Sequence, residues 1–247
     1  MKKGITKQQE THPAILEIRS RLSDMRDESH AKVLQRFFKT GPGEYGEGDV
    51  FMGLRVPQLR SLARTCPRME LDQIRELLSS PIHEERLLAL LILVSSSQKG
   101  DDATREKIFR FYLENTEHIN NWDLVDLSAE HILGAYLFTR SSEILEKMAL
   151  SGNLWERRMA VMATFHFIKR GRFDLTLALV KTLLNDREDL IHKVCGWMLR
   201  EIGKRDIDSE ESFLMLHYRS MPRTMLRYAI ERFREDKRLK YLKGEII

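Results

Sequence analysis

The sequence predicts an all-α chain of stacked helix pairs. Apolar residues recur at helical spacing along most of its length, and no stretch sustains the every-second-residue alternation of a half-buried strand. Glycine and proline are sparse, and 32% of the 247 residues are charged, a composition that suits helices better than a β-sandwich. Ile15, Ile18, Leu22 and Met25 form the first apolar stripe. Ile74, Leu77 and Leu78 form a second, and Leu87, Leu88, Leu91 and Val94 a third. Val161, Phe165 and Ile168 continue the pattern. Pro13, Pro57, Pro81 and Pro222 mark helix starts, because a first-turn residue has no use for its N–H.

Similar apolar helices begin around Arg86, Trp122, Arg158 and Lys193, at spacings of 36, 36 and 35 residues. That period is the length of a helix-pair repeat of the HEAT or armadillo kind, whose equivalent helices line one concave face. The expected organisation is a flexible arm over residues 1–11 and a single helical-repeat domain over 12–247. The glycine-rich acidic segment Gly41-Pro42-Gly43-Glu44-Tyr45-Gly46 opens a long flexible loop, 41–53, in that domain. A helix precedes this loop, and its carboxylates would repel phosphate, so it is no dinucleotide fingerprint. Loops of this length often serve as lids.

Several classes are excluded. The longest apolar run, Leu87 to Val94, is too short to span a membrane. The basic N-terminus has no apolar segment behind it, and the two cysteines, Cys66 and Cys195, form no disulfide framework, so a cytoplasmic protein is expected. There is no phosphate-binding Gly-Lys-Ser/Thr loop, no nucleophile elbow and no metal-ligand spacing, so neither a metal nor a small-molecule cofactor is expected. Net charge is +4, and its distribution is uneven. Residues 153–205 hold 11 Lys and Arg against 6 Asp and Glu, and residues 219–243 hold 9 against 3. The remaining residues are net acidic, so a basic concave face in the C-terminal half would suit a polyanion.

The most informative residues are Asn121-Trp122-Asp123-Leu124-Val125-Asp126. In a helix Trp122 and Asp126 share a face, which sets an indole beside a carboxylate. That pair suits a cationic ring-bearing guest. Asp126 can be read in two ways: as the partner of an arginine in the next repeat, or as an anion placed to stabilise positive charge on a substrate. Trp155 and Trp197 fall near the starts of the next two repeats, as ring faces or as core fillers. Arg157 and Arg158 are available to phosphates from one of these helices, and Lys193 and Arg200 from the other.

With these residues in view, the chain resembles the AlkD family of bacterial DNA alkylation-repair glycosylases. The resemblance rests on Trp-Asp-x-Val-Asp at 122–126, on Asn-x-Trp-x-x-Arg at 153–158 and on Lys-x-x-Gly-Trp-x-Leu-Arg-Glu at 193–201. Arg55-Val56-Pro57-Gln58-Leu59-Arg60 and the run from Pro222 to Ile230 add to it, and it covers about residues 12–235. It implies a monomeric HEAT-like solenoid gripping duplex DNA that contains alkylated purines, and excision of cationic N3- or N7-alkylated purines. Asp126 would be the catalytic carboxylate, with Trp122 and Trp197 against the deoxyribose. Arg158 and Arg200 would hold the backbone, with Lys193, Arg157 and Phe37 completing the DNA contacts. Phe37, near the start of the second helix, stands where the family pattern has a tyrosine, so the ring survives and the hydroxyl is lost. The loop 41–53 is longer than the pattern.

The chemistry of the residues agrees with that implication. Breaking an N-glycosidic bond builds cationic character on the sugar, and ordinary glycosidases use a second carboxyl group to protonate the leaving group. A cationic alkylpurine leaves without that proton, so one carboxylate flanked by aromatic rings is enough. Two other functions fit a helical repeat of this composition: a non-catalytic reader of DNA shape, and a protein-binding scaffold.

Overall fold

A computed structural model describes residues 12–246, so the expected N-terminal arm lies outside the described residues. Within them every regular element is helical, and the one β-type contact is an isolated bridge between Val50 and Ile82. The chain divides into two compact units, one ending at Ser95 and the other starting at Ser96.

The first unit contains α1 (Pro13–Asp24), α2 (Glu28–Phe37), α3 (Val56–Thr65), α4 (Leu71–Leu78) and most of α5 (His83–Lys99). Ile15, Ile18 and Leu22 bury the first stripe, and Met25 caps α1. Leu87 to Val94 is apolar on every side and buried throughout, as a helix packed on all faces must be. Pro13 and Pro57 occupy first-turn positions. Pro81 and Pro222 do not. Pro222 is the N-cap of its helix, and Pro81 lies two residues before α5, where its carbonyl accepts the Val50 N–H at 3.2 Å.

That bond belongs to a set that corrects the expectation of a flexible loop at 41–53. Glu84, buried in the first turn of α5, accepts three backbone N–H groups: Met52 at 2.9 Å, Gly53 at 2.8 Å and Leu54 at 3.2 Å. Asp49, also buried, receives Arg86 Nη2 at 2.6 Å and faces His83 Nδ1 at 3.1 Å. His83 in turn stacks on Phe51, which stacks on Phe38. Residues 49–54 are therefore fastened to the start of α5. The acidic residues that count against phosphate binding in the sequence are partly these fasteners.

The second unit contains α6 (Asp102–Glu114), α7 (Trp122–Asp126), α8 (Ala135–Leu137), α9 (Glu143–Ala149), α10 (Leu154–Ala163) and α11 (Phe165–Ile168). It continues with α12 (Asp174–Thr182), α13 (Asp189–Gly203), α14 (Ile207–His217), α15 (Arg223–Ala229) and α16 (Glu235–Lys243). α10 packs against α7, α9 and α13, and α13 packs against α14 and α15, so helices one repeat apart lie side by side. Two glycines set that spacing. A Cβ at Gly134 would collide with the Ala163 carbonyl, and one at Gly196 with the Met225 carbonyl. Each glycine lets a helix lie directly on the backbone of the next.

The apolar stretch from Leu124 to Leu133 is not one continuous helix. α7 ends at Asp126, a turn follows, and Glu130–Gly134 winds as a π-helical turn before α8. The local cause is Ser128, whose hydroxyl donates to the Leu124 carbonyl at 2.5 Å and also bonds the buried Tyr112 hydroxyl at 2.8 Å. A serine bonded back to its own helix opens and bends that helix.

A second buried acid sits on α14. Glu210 is 2% exposed and packs against Gly203, where any side chain would collide with its carboxyl group. Burial, with Glu211 adding to it, pushes its pKa up to about 8. Below about pH 4.5 folded and unfolded chains both carry this proton. Between that pH and about 8 only the unfolded carboxyl ionises, so stability falls as pH rises. Glu210→Gln removes the ionisable group at constant shape. We expect the variant to match the wild type at pH 4 and to be more stable at pH 8 by on the order of 2 kcal/mol, a melting-temperature gain of roughly 4–8 °C. Melting curves from pH 4 to 8 check this; parallel curves for the two proteins would refute it.

Candidate functional site

Helix α7 exists because Asn121, fully buried, caps it by accepting the Trp122 N–H at 2.8 Å. Asp123, also buried, accepts the Leu124 N–H at 2.8 Å, which commits it to the helix start. Trp122 and Asp126 lie one turn apart on the remaining face, both half-buried.

Asp126 meets Arg158 in a two-point ion pair: Nε to Oδ1 and Nη2 to Oδ2, both at 2.8 Å. The third arm of the guanidinium, Nη1, donates to the Leu190 carbonyl in the first turn of α13 at 2.6 Å. Arg158 thus ties together three successive repeats at one point. The side chains are 6% exposed for Arg158 and 14% for Asp126, so Asp126 keeps slight access to solvent while Arg158 is shut in. Burial pushes the Asp126 carboxyl above the ordinary carboxylate range, and Arg158 opposes that shift. The fork geometry favours the ionised form, because each oxygen receives an N–H from a group that stays charged.

The other expected residues are placed as follows. Arg157 turns away from its neighbour and binds Asp186 at 2.7 Å and the Ser151 carbonyl at 3.0 Å. Lys193 pairs with Asp189 at 2.7 Å and remains partly open to solvent. Trp197, half-buried, donates its indole N–H to Glu201 at 3.2 Å and tilts against Phe165 with ring centroids 6.0 Å apart. It lies seven residues beyond Leu190 on α13, about 10 Å along the axis. Arg200 pairs with Glu231, and its Nε is buried without a partner. Trp155 is buried at the start of α10. Phe37 belongs to the first unit. It is the last residue of α2, not near its start, and is 61% exposed, with its ring edge-on to Phe38. Of the arginines expected to hold a DNA backbone, Arg158 is fully engaged inside the protein, and Arg157 and Arg200 each face a carboxylate. The sequence offered an arginine of the next repeat as one reading of Asp126, but it did not indicate the other partners, because Asp186, Glu231 and the Leu190 carbonyl come from distant elements.

Among the described residues no cluster of His, Cys, Asp and Glu could hold a metal, and no helix is long and apolar enough to cross a membrane.

The family model for DNA alkylation repair enzymes matches residues 18–233. The chain belongs to that family. Two solved structures share its fold. A structure described as a predicted DNA alkylation repair enzyme from Enterococcus faecalis matches with a TM-score of 0.64 at 18% identity, covering 85% of this chain and 97% of that one. AlkD2 from Streptococcus mutans matches with a TM-score of 0.53 at 15% identity, covering 84% and 99%. None of the curated proteins matches the chain. The all-α helical-repeat class predicted from the sequence is the class of this family, and alkylation repair is the role the family carries.

Proposed function

We propose that this member of the family is a monofunctional DNA N-glycosylase that releases cationic N3- and N7-alkylated purines from duplex DNA. The observation that supports it best is Asp126: a slightly accessible carboxylate held by a buried guanidinium, one helical turn from an indole. As the C1′–N bond lengthens, its electron pair passes to the base, whose positive charge is neutralised as it leaves. The sugar becomes cationic, and Asp126 stabilises that charge. A water oxygen then bonds to C1′ and gives up its proton, which leaves a free purine and an abasic deoxyribose. Trp122 offers a flat face to the sugar from the same side of α7. Arg158 is then a positioning residue: it holds the carboxylate in place, and DNA contact falls to other cations.

The same ion pair supports a rival. A carboxylate already satisfied by Arg158 is also what a non-catalytic DNA reader would contain. Single-turnover assays on duplexes carrying 7-methylguanine, 3-methyladenine, hypoxanthine or uracil separate the two. The glycosylase reading expects release of the two cationic bases and not the two neutral ones, because its one-carboxylate mechanism supplies no proton to the leaving base. Release of nothing supports the reader. Efficient release of uracil would show a proton donor and sink the one-carboxylate mechanism.

A further inference from the structure

The sequence drew no attention to the turn Lys169-Arg170-Gly171-Arg172, which follows α11. Gly171 takes φ +72, so the chain reverses there and brings both flanking guanidiniums to one ring. Arg170 lies 5.4 Å and Arg172 4.9 Å from the centroid of Phe138, and Arg172 is also 5.3 Å from that of Phe167. Each is fixed by one bond to a helix-end carbonyl: Arg170 Nη1 to His166 at 3.0 Å, and Arg172 Nη1 to Phe138 at 2.8 Å. Lys169 sits 4.1 Å over Phe165.

Neighbouring cations at this edge are balanced: Arg140 by Asp102, Lys169 by Glu130 and Arg205 by Glu201. Arg170 and Arg172 have no such counter-ion. Among the described residues no carboxylate lies within ion-pair distance of either, and both are exposed. The positive field of Arg170 reaches His166, whose pKa burial and then Arg170 push down to about 4. Two like charges gathered on one ring repel each other, and an anion shared between them removes that cost. Their remaining N–H groups form two forks already fixed in place, so binding costs little side-chain entropy.

We propose that the Arg170–Arg172 turn is a second nucleic-acid contact that grips the phosphodiester backbone away from the reacting sugar. This rests on the reading that duplex DNA is the substrate. Position supports it. Arg170 follows Arg158, which holds Asp126, by twelve residues and stands just past the end of α11, in the same compact unit as Asp126. A duplex engaged at Asp126 extends along this unit, and the turn offers it a phosphate contact away from the reacting sugar.

The test is binding of a short undamaged duplex across a salt series, which reads this contact whether or not any base is released. For the double variant Arg170→Gln, Arg172→Gln we expect affinity to fall at least about tenfold at low salt. The slope of log K against log salt should flatten by about 1.8, at 0.9 per lost phosphate contact. A charge-matched control, Arg110→Gln with Arg238→Gln, removes two cations, one exposed and one half-buried, that already pair with Glu106 and Glu235, and should leave the slope unchanged. An equal loss in the control would assign the effect to net charge and overturn the proposal. So would a fall in melting temperature with the salt slope unmoved, which would leave the two arginines as helix caps alone. If the slope flattens as expected but no duplex ever loses a base, the contact stands and the glycosylase reading fails.

Discussion

Replacing Asp126 with asparagine is expected to lower the single-turnover rate of base release by about 10²–10³, the usual cost of one preorganised electrostatic stabiliser. The amide keeps the shape of the carboxylate and one acceptor for Arg158, so the fold should survive with a modest loss of melting temperature. Binding of undamaged duplex should be unchanged or tighter, since an anion that faces phosphates has been removed. The wild-type enzyme should also show an acid limb in its rate profile. Asp126 must be ionised to act, and burial raises its pKa, so activity is lost as pH falls through a value above that of an ordinary aspartate. The variant should lack that limb. An Asp126→Asn protein that releases 7-methylguanine at the wild-type rate would remove Asp126 from the chemistry.

Arg158→Ala is expected to have the largest effect on stability. It leaves a buried carboxylate without its counter-ion and the Leu190 carbonyl without its donor. Breaking a buried pair from one side costs about 3–5 kcal/mol, or roughly 6–20 °C of melting temperature in a chain of this size. The acid limb should move to still higher pH, because only Arg158 opposes the effect of burial on Asp126. The salt slope of DNA binding should not change. A phosphate-binding arginine would behave in the opposite way, with the slope reduced by about one and the melting temperature unmoved. Arg158→Lys keeps the charge without the fork, and should recover stability more fully than rate.

Most of the fold was legible because it depends on local periodicity. The stripes at Ile15, Ile18 and Leu22 and the run from Leu87 to Val94 each declare a buried helix without reference to the rest of the chain. The break after Asp126 was not legible. It depends on Ser128 bonding backwards and on Tyr112 from another helix, and neither changes the apolar pattern. Trp122 and Asp126 could be paired from spacing alone. The partner of Asp126 could only be guessed as an arginine of the next repeat, and Arg158 proved to be that residue. The roles of Arg157 and Arg200 could not be read, because a surface cation and one locked to a distant acid look alike in one dimension. Arg170 and Arg172 show the converse: an ordinary-looking basic turn becomes distinctive only when Phe138 is seen beneath it.

The attachment of residues 49–54 to α5 also determines how this part of the protein opens. The amides of Met52, Gly53 and Leu54 have no partner in their own segment; all three are held by one side chain in the first turn of a helix about thirty residues further along. Their exchange with deuterated solvent is therefore governed by the opening of α5 and not by loop fluctuation. The stretch should be protected like a core helix, while the tip from Gly43 to Gly48, whose bonded amides at Gly43, Glu44, Gly46 and Glu47 reach only partners between Lys39 and Glu47, exchanges faster. The boundary between fast and slow amides would then fall inside a segment that, by composition, is all loop.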